Sequence, residues 1–505
     1  MATPAVLAID AGTTGVTALL VGRDGGVLAR GYREFPQYYP RPGWVEHDPE
    51  EIWQATLAAV AAARAAAPDA EPQALGITNQ RETFLFWDRS HGRPLHRAVV
   101  WQCRRSAALC EELRAAGLEA EVRRKTGLLL DPYFSGTKTL WLARERPDLA
   151  GTVRAGSAAF GTIDAWLAYR LSGGAVHATD YTNASRTLVF DIDRMEWDDG
   201  LLEAFALDRR AMPDVGPSAA VRGRTAGAGA VPDGLPIASL VGDQQAALFG
   251  QACFAPGQVK ATYGTGCFIL MQTGARRVDS PAGLLTTVAA SGDGRPCYAL
   301  EGSVFIAGAA VQWCRENMGF IADAAEAETL AASVPDSAGV VFVPAFVGLG
   351  TPHWGPDARG AIFGLTRGTT RAHIVRAAVE SMAYQAQDVL DIMSREADLR
   401  LAELRVDGGA SANDFLMQLQ ADLSGAALSR PESVESTALG AAYLAGIATG
   451  FWRDEAEVSG LRREERRFQP SPAAAAAGTA YGRWRAAVAG LLATDLPPFD
   501  PAPIP

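Results

Sequence analysis

The chain opens on an apolar run, Ala5–Ile9, interrupted by Asp10-Ala-Gly-Thr-Thr-Gly15 and resumed from Val16 to Val21. A turn at Arg23-Asp-Gly-Gly26 separates these from a third run, Val27 to Arg33. Strands this close, joined by glycine-rich turns, predict antiparallel hairpins. An alanine-rich stretch over 49–66 predicts a helix, with Asp48 as its N-cap and Pro49 in its first turn. Ala74 to Asn79 reads as a further strand. Antiparallel clusters that then alternate with helices make a mixed α/β pattern.

The programme restarts in the second half. Gln258–Tyr263 predicts a strand, Gly264-Thr-Gly266 a tight turn and Cys267–Thr273 the returning strand. This turn resembles Gly12-Thr-Thr14 in chemistry and position. The repeat predicts duplication of one domain, as 1–252 and 253–505, with the boundary near 250–258. Ile237–Val241 reads as an apolar strand running into Gly242-Asp243, and Glu403–Val406 as one ending at Asp407-Gly-Gly409. Arg371–Met393 and Asn413–Leu423 are helical. The alanine-rich 472–480 and the terminal Pro-Pro-Phe-Asp-Pro-Ala-Pro-Ile-Pro are low-complexity, and the last prolines read as a loosely packed tail.

Composition narrows the class. Hydrophobic residues at 48% and charged residues at 20% exclude wholesale disorder. The net charge of −11 offers no footprint for nucleic acid or an anionic membrane. Of 46 basic residues only Lys125, Lys138 and Lys260 are lysines, which argues against a lysine-based phosphate cradle. No apolar run has membrane-spanning length, and the N-terminus lacks the basic region of a signal peptide. The six scattered cysteines form no Cys-x-x-Cys pair, so a reducing cytoplasm is expected, without a disulfide framework, a zinc site or a metal held tightly by side chains.

Three glycine-rich turns follow strands, at 10–15, 264–266 and 407–409. Glycine lets backbone amides approach a ligand, and threonine hydroxyls can donate to phosphate oxygens. An aspartate closing the first strand suits a magnesium ion held through waters. Gly-Lys is absent, as is Gly-x-Gly-x-x-Gly, so neither a Walker A loop nor a dinucleotide fingerprint is present. Thr78-Asn-Gln-Arg-Glu-Thr83 places opposite charges side by side, as a surface turn or a site. Asp243, at the end of a buried strand, is a general base or a helix cap.

At these residues the chain resembles the FGGY carbohydrate kinases. The resemblance runs through Gly43–Pro49, Gly76–Glu82, Val100–Arg105, Asp131–Lys138, Asp180–Arg186, Gly242–Gly250, Tyr263–Phe268 and Gly364–Gly368. It implies two ribonuclease-H/actin-like domains of the α/β class closing on a cleft for ATP and a polyol, and within the family it is closest to the members that phosphorylate glycerol at its 3-position. On this resemblance Arg81 donates to polyol hydroxyls, Glu82 and Asp243 accept from them, and Tyr133 and Gln244 add hydrogen bonds. Trp101 and Phe268 pack on the carbon skeleton, and Asp243 is the catalytic base. Asp10 helps hold Mg²⁺. Thr13, Thr14, Gly15 and Thr265 line the phosphates, while Gly308, Gln312, Gly409 and Asn413 belong to the nucleotide site. Family membership further implies a cytoplasmic homo-oligomer, a dimer or tetramer.

The first phosphate loop departs from the family pattern, which reads Asp-Gln-Gly-Thr-Thr-Ser with an arginine two residues on; here Ala11, Gly15 and Thr17 stand in those places. Thr225–Gly234 carries neither the arginine through which some relatives bind fructose 1,6-bisphosphate nor the histidine that others phosphorylate, so both controls are expected to be absent. The alternatives are a kinase of another short polyol or ketose, a sensor or assembly ATPase on the same fold, and a kinase-like binder without turnover.

Overall fold

The computed structural model describes residues 2–355 and 357–494. Strands β1 (Thr3–Ala11) and β2 (Gly15–Gly22) form the first hairpin, and β3 (Val27–Glu34) pairs antiparallel with β2. Helix α1 (Pro49–Ala66) crosses back so that β4 (Ala70–Asn79) lies parallel to β1, and β5 (Pro236–Gly242) lies parallel to β4. The cap of α1 is the predicted one: Asp48 accepts the Glu50 amide at 2.9 Å. Asp243 is the first residue of helix α2 (Asp243–Gly250), whose N-cap is Gly242.

The second sheet repeats the first. Strands β6 (Gln258–Tyr263) and β7 (Cys267–Gly274) form its hairpin, and β8 (Cys297–Val304) is antiparallel to β7. After helix α3 (Arg371–Ala397), β9 (Glu403–Asp407) pairs parallel with β6, and β10 (Leu428–Pro431) parallel with β9. The order β8-β7-β6-β9-β10 therefore matches β3-β2-β1-β4-β5 in both sequence and sense. Both central hairpins point their turns along the C-terminal ends of parallel strands, where α/β sheets hold ligands.

Helix α4 (Ser436–Thr449) crosses between the halves. It follows β10 of the second sheet in sequence, yet it shares a core with Val6, Ala8, Ala74 and Val241 of the first. Contact with α2 is backbone-close: a Cβ on Gly440 would lie 1.9 Å from the Ala246 carbonyl oxygen. Only glycine permits that approach. An inserted four-stranded sheet, including Phe84–Asp88 and Ala158–Thr162, builds a further core. That core takes in Leu285, Val288 and Tyr298 from the second half.

The alanine-rich segment at 472–480 runs into helix Ala474–Leu492, which seats Trp484 and Val488 in a core cluster. The low-complexity reading weighed the alanines and overlooked the apolar face four and eight residues downstream. The terminal prolines at 497–505 lie outside the described residues. Among the described residues no helix is long and apolar enough to cross a membrane.

Candidate active site

The segment after β4 is buried, so the surface-turn reading of Thr78–Thr83 does not hold: Arg81 is 2% and Glu82 1% exposed. Glu82 sits at φ 60°, a left-handed backbone conformation costly for a residue with a Cβ. A charged side chain held inside the protein on a strained backbone must be stabilised by its surroundings, and here those are charges. Both Nη groups of Arg81 donate to the Glu301 carboxylate on β8, at 2.6 and 2.9 Å. Its Nε lies 3.2 Å from Asp243 Oδ1. Arg186 donates through Nε to Glu82 at 2.6 Å and through Nη2 to Glu301 at 3.0 Å. Two arginines and three carboxylates thus form one network, with Glu301 contributed by the second sheet.

The network sets protonation. Burial alone would raise the Glu301 carboxyl, but Arg186 and Arg81 hold it down at about 2. Burial lowers the basicity of Arg81, and Glu301 and Glu82 more than restore it. Burial raises the pKa of Asp243 against the pull of Arg81 and Lys260. A carboxylate so placed, with its side chain 27% exposed, suits proton abstraction. Asp10, at the end of β1, is pushed up to about 8 by burial and by the charges of Asp243 and Glu435.

Aromatic rings close one side. Trp101 meets Tyr133 edge-on with centroids 5.5 Å apart, and Phe268 at 6.4 Å. The Trp101 indole N–H donates to Thr13 Oγ1 at 3.0 Å, which ties the aromatic wall to the first glycine-rich turn. That turn is clasped from below. Gln37 Nε2 donates to the Thr13 carbonyl at 2.8 Å and Gln80 Nε2 to the Gly12 carbonyl at 3.0 Å. His47 joins both glutamines, bonding Gln37 Oε1 through Nε2 and accepting from Gln80 Nε2 at Nδ1. Those partners require a neutral imidazole, and burial lowers its pKa to about 4.

The second turn docks on helix Gly308–Glu316. The Gly308 amide donates to the Gly264 carbonyl at 3.0 Å, and the Ala307 amide to Thr265 at 2.8 Å. Thr14, Thr265, Gly409 and Gln312 are exposed, and Gln312 Nε2 is turned onto Glu316. Asn413 caps the following helix by accepting the Leu416 amide at 2.9 Å. Gly15 is buried inside β2, where a Cβ would lie 2.7 Å from the Tyr32 hydroxyl.

Sequence reasoning passed over Glu301, Arg186 and Lys260. All three are fully buried. The available signal was a charge inside an otherwise apolar strand, Tyr298-Ala-Leu-Glu301 and Val259-Lys260-Ala261. Arg186 lay within a motif already singled out. The helix Tyr181–Ala184 just ahead of it is capped by Asp180, which accepts the Thr182 and Asn183 amides.

Two repeated sheets of matching strand order give the chain a two-domain α/β fold of the actin-like ATPase class. Models of the FGGY family of carbohydrate kinases match residues 5–250 (N-terminal domain) and 259–449 (C-terminal domain), and the chain belongs to that family. It is 51% identical over 485 residues to glycerol kinase 2 of Thermotoga maritima, covering 96% of this chain and 98% of the relative. It is 53% identical over 485 residues to a glycerol kinase of Symbiobacterium thermophilum, covering 96% and 97%. Among solved structures, Plasmodium falciparum glycerol kinase with ADP superposes at TM-score 0.92 with 34% identity, covering 98% of this chain and 99% of that one. A Lactobacillus acidophilus xylulose kinase, 20% identical over 97% and 99% of the chains, shares the fold at TM-score 0.88.

Proposed function

We propose that the protein transfers the γ-phosphoryl group of ATP to glycerol, forming sn-glycerol 3-phosphate. The observation that carries this reading is the pairing of a buried charge network at Arg81, Glu82 and Asp243 with the Trp101–Tyr133–Phe268 wall. Glycerol is three hydroxyls on a short carbon chain, so it calls for charged partners on one side and flat apolar surface on the other. A site built to bond hydroxyls rejects analogues that lack them, because its own polar groups would be left unpaired. Similarity to glycerol kinases over nearly the whole chain supports the same substrate.

In this mechanism Asp243 accepts the proton of the terminal hydroxyl as that oxygen attacks the γ-phosphorus and the bond to the β-phosphate oxygen breaks. Arg81 and Glu82 orient the polyol, with Tyr133 and Gln244 bonding the remaining hydroxyls. Backbone amides and hydroxyls at Thr13, Thr14, Gly15 and Thr265 receive the phosphates, and Gly308, Gln312, Gly409 and Asn413 the rest of the nucleotide. Asp10 fits a divalent cation: like charges crowd it, and a cation there would relieve them. Mg²⁺ held by Asp10 through water would neutralise charge on the phosphates.

A panel of polyols and ketoses with ATP and Mg²⁺, followed by ADP release, tests the reading. Glycerol is expected to have the highest kcat/KM. Comparable kcat/KM on a pentulose would overturn the assignment of glycerol as the specific substrate.

A further inference from the structure

In a chain with 43 arginines, the position of a lysine is informative, and Lys260 is one of three. It lies on β6 and is fully buried. Its Nζ donates to Thr262 Oγ1 at 2.9 Å and to Gln244 Oε1. The groups around it are charged on several elements: Asp407 at the end of β9, Asp243 on α2, Glu301 on β8 and Arg81 after β4, with the Cys253 and Cys267 thiols nearby. The ammonium is held at a point contact, where a planar guanidinium would need room for five N–H groups.

An ammonium can only donate. The Gln244 atom that faces it must therefore be the carbonyl oxygen, which turns the Gln244 NH₂ the other way. That NH₂ has no hydrogen-bond partner among the described residues, and it is not sealed in the interior: Gln244 is half-buried at the start of α2, beside Asp243. Lys260 belongs to the second sheet and Gln244 to the helix after the first, so the contact joins the two halves at the cleft.

We infer that Lys260 is a positioning residue that locks the Gln244 amide with its NH₂ toward the polyol, making Gln244 an obligate donor to a substrate hydroxyl. The inference rests on the glycerol-kinase reading above. It divides the hydroxyl partners by chemistry: Arg81 and Gln244 donate, whereas Glu82 and Asp243 accept. Without Lys260 the amide can rotate, and in half of its orientations it presents oxygen to a hydroxyl already served by carboxylates.

The test compares wild type, Lys260→Met, Gln244→Leu and the double variant in an ADP-release assay with glycerol and ATP varied separately, alongside thermal melts. Lys260→Met is expected to raise the glycerol KM about 10-fold, the scale of losing one hydrogen bond organised by a charge. The ATP KM should stay within about twofold, because the effect passes through the polyol contact. The double variant should be no worse than Gln244→Leu alone, since Lys260 acts through that side chain. A glycerol KM unchanged in folded Lys260→Met, or penalties that add fully in the double variant, overturns the inference. If Lys260→Met does not fold, Thr262→Val removes the 2.9 Å tether while keeping the ammonium; it should raise the glycerol KM by about threefold, and an unchanged KM refutes the role. Failure of the underlying reading looks different: wild type itself would not turn over glycerol.

Discussion

The two sides of the cleft are built on opposite principles. On the proposed polyol side, Arg81, Glu82, Arg186 and Glu301 are buried, and each is paired with an ion of opposite charge. On the proposed nucleotide side, Thr14, Thr265, Gly409 and Gln312 are exposed; the first glycine-rich turn is held by Gln37, Gln80 and a neutral His47, and the second by backbone amides. The difference matches the ligands proposed for the two sides. Glycerol is small and uncharged, so its recognition depends on donors and acceptors fixed before it arrives. A nucleotide brings its own charge and size, and amides at glycine-rich turns suffice for its phosphates.

The largest expected effect falls on the charged side. Asp243→Asn should lower kcat at least about 100-fold while calorimetry still registers glycerol binding, because the amide keeps the side chain's shape and its hydrogen-bonding oxygen but cannot take up the hydroxyl proton. An unchanged rate would remove Asp243 from the mechanism. Next comes Glu301→Gln, which leaves Arg81 and Arg186 to share a neutral amide inside the protein. Breaking such a buried network should cost about 3 kcal/mol in urea unfolding. If the unfolding midpoint does not move, the network is not what holds the two halves of the site together.

A smaller effect should appear on the neutral side, and it depends on pH. Burial lowers the His47 pKa from 6.5 to about 4. The unfolded chain takes up a proton between those values and the folded chain does not. The stability that His47 confers is therefore complete above pH 6.5 and is lost as pH falls toward about 4. His96 and His177 are lowered likewise to about 4, so His47→Gln should flatten the acid slope of stability without abolishing it. Identical slopes in the two proteins would contradict the clasp. The smallest effect is expected at exposed Gln312, where replacement by alanine should change the ATP KM by no more than about twofold. A change of 100-fold there would erase the contrast between the two sides.

Much of the fold was legible because its signals are local. Glycine-rich turns between short apolar runs marked both hairpins, and Asp48-Pro49 marked the start of α1 within a residue. The repeat was visible only at those hairpins; that it extends to five strands of matching order required the pairings. Nothing in Ser436–Thr449 announced that this helix covers the first sheet, since an evenly apolar helix carries no sign of which neighbour it will meet.

The site divides in the same way. Asp243 and the Arg81-Glu82 pair stood out as charges at strand ends, and the glycine-rich turns could be read as phosphate loops. Whether Arg81 and Glu82 lay on the surface or in a site was open, because two adjacent opposite charges are equally at home in water. Residue types and their near neighbours determined the strands, the turns and the inventory of charges. Only the closure of two sheets decided which charges met. Arg81 and Glu301 stand 220 residues apart in the chain and 2.6 Å apart in space. A charge taken out of water must find its opposite nearby, and no local pattern records where the opposite lies.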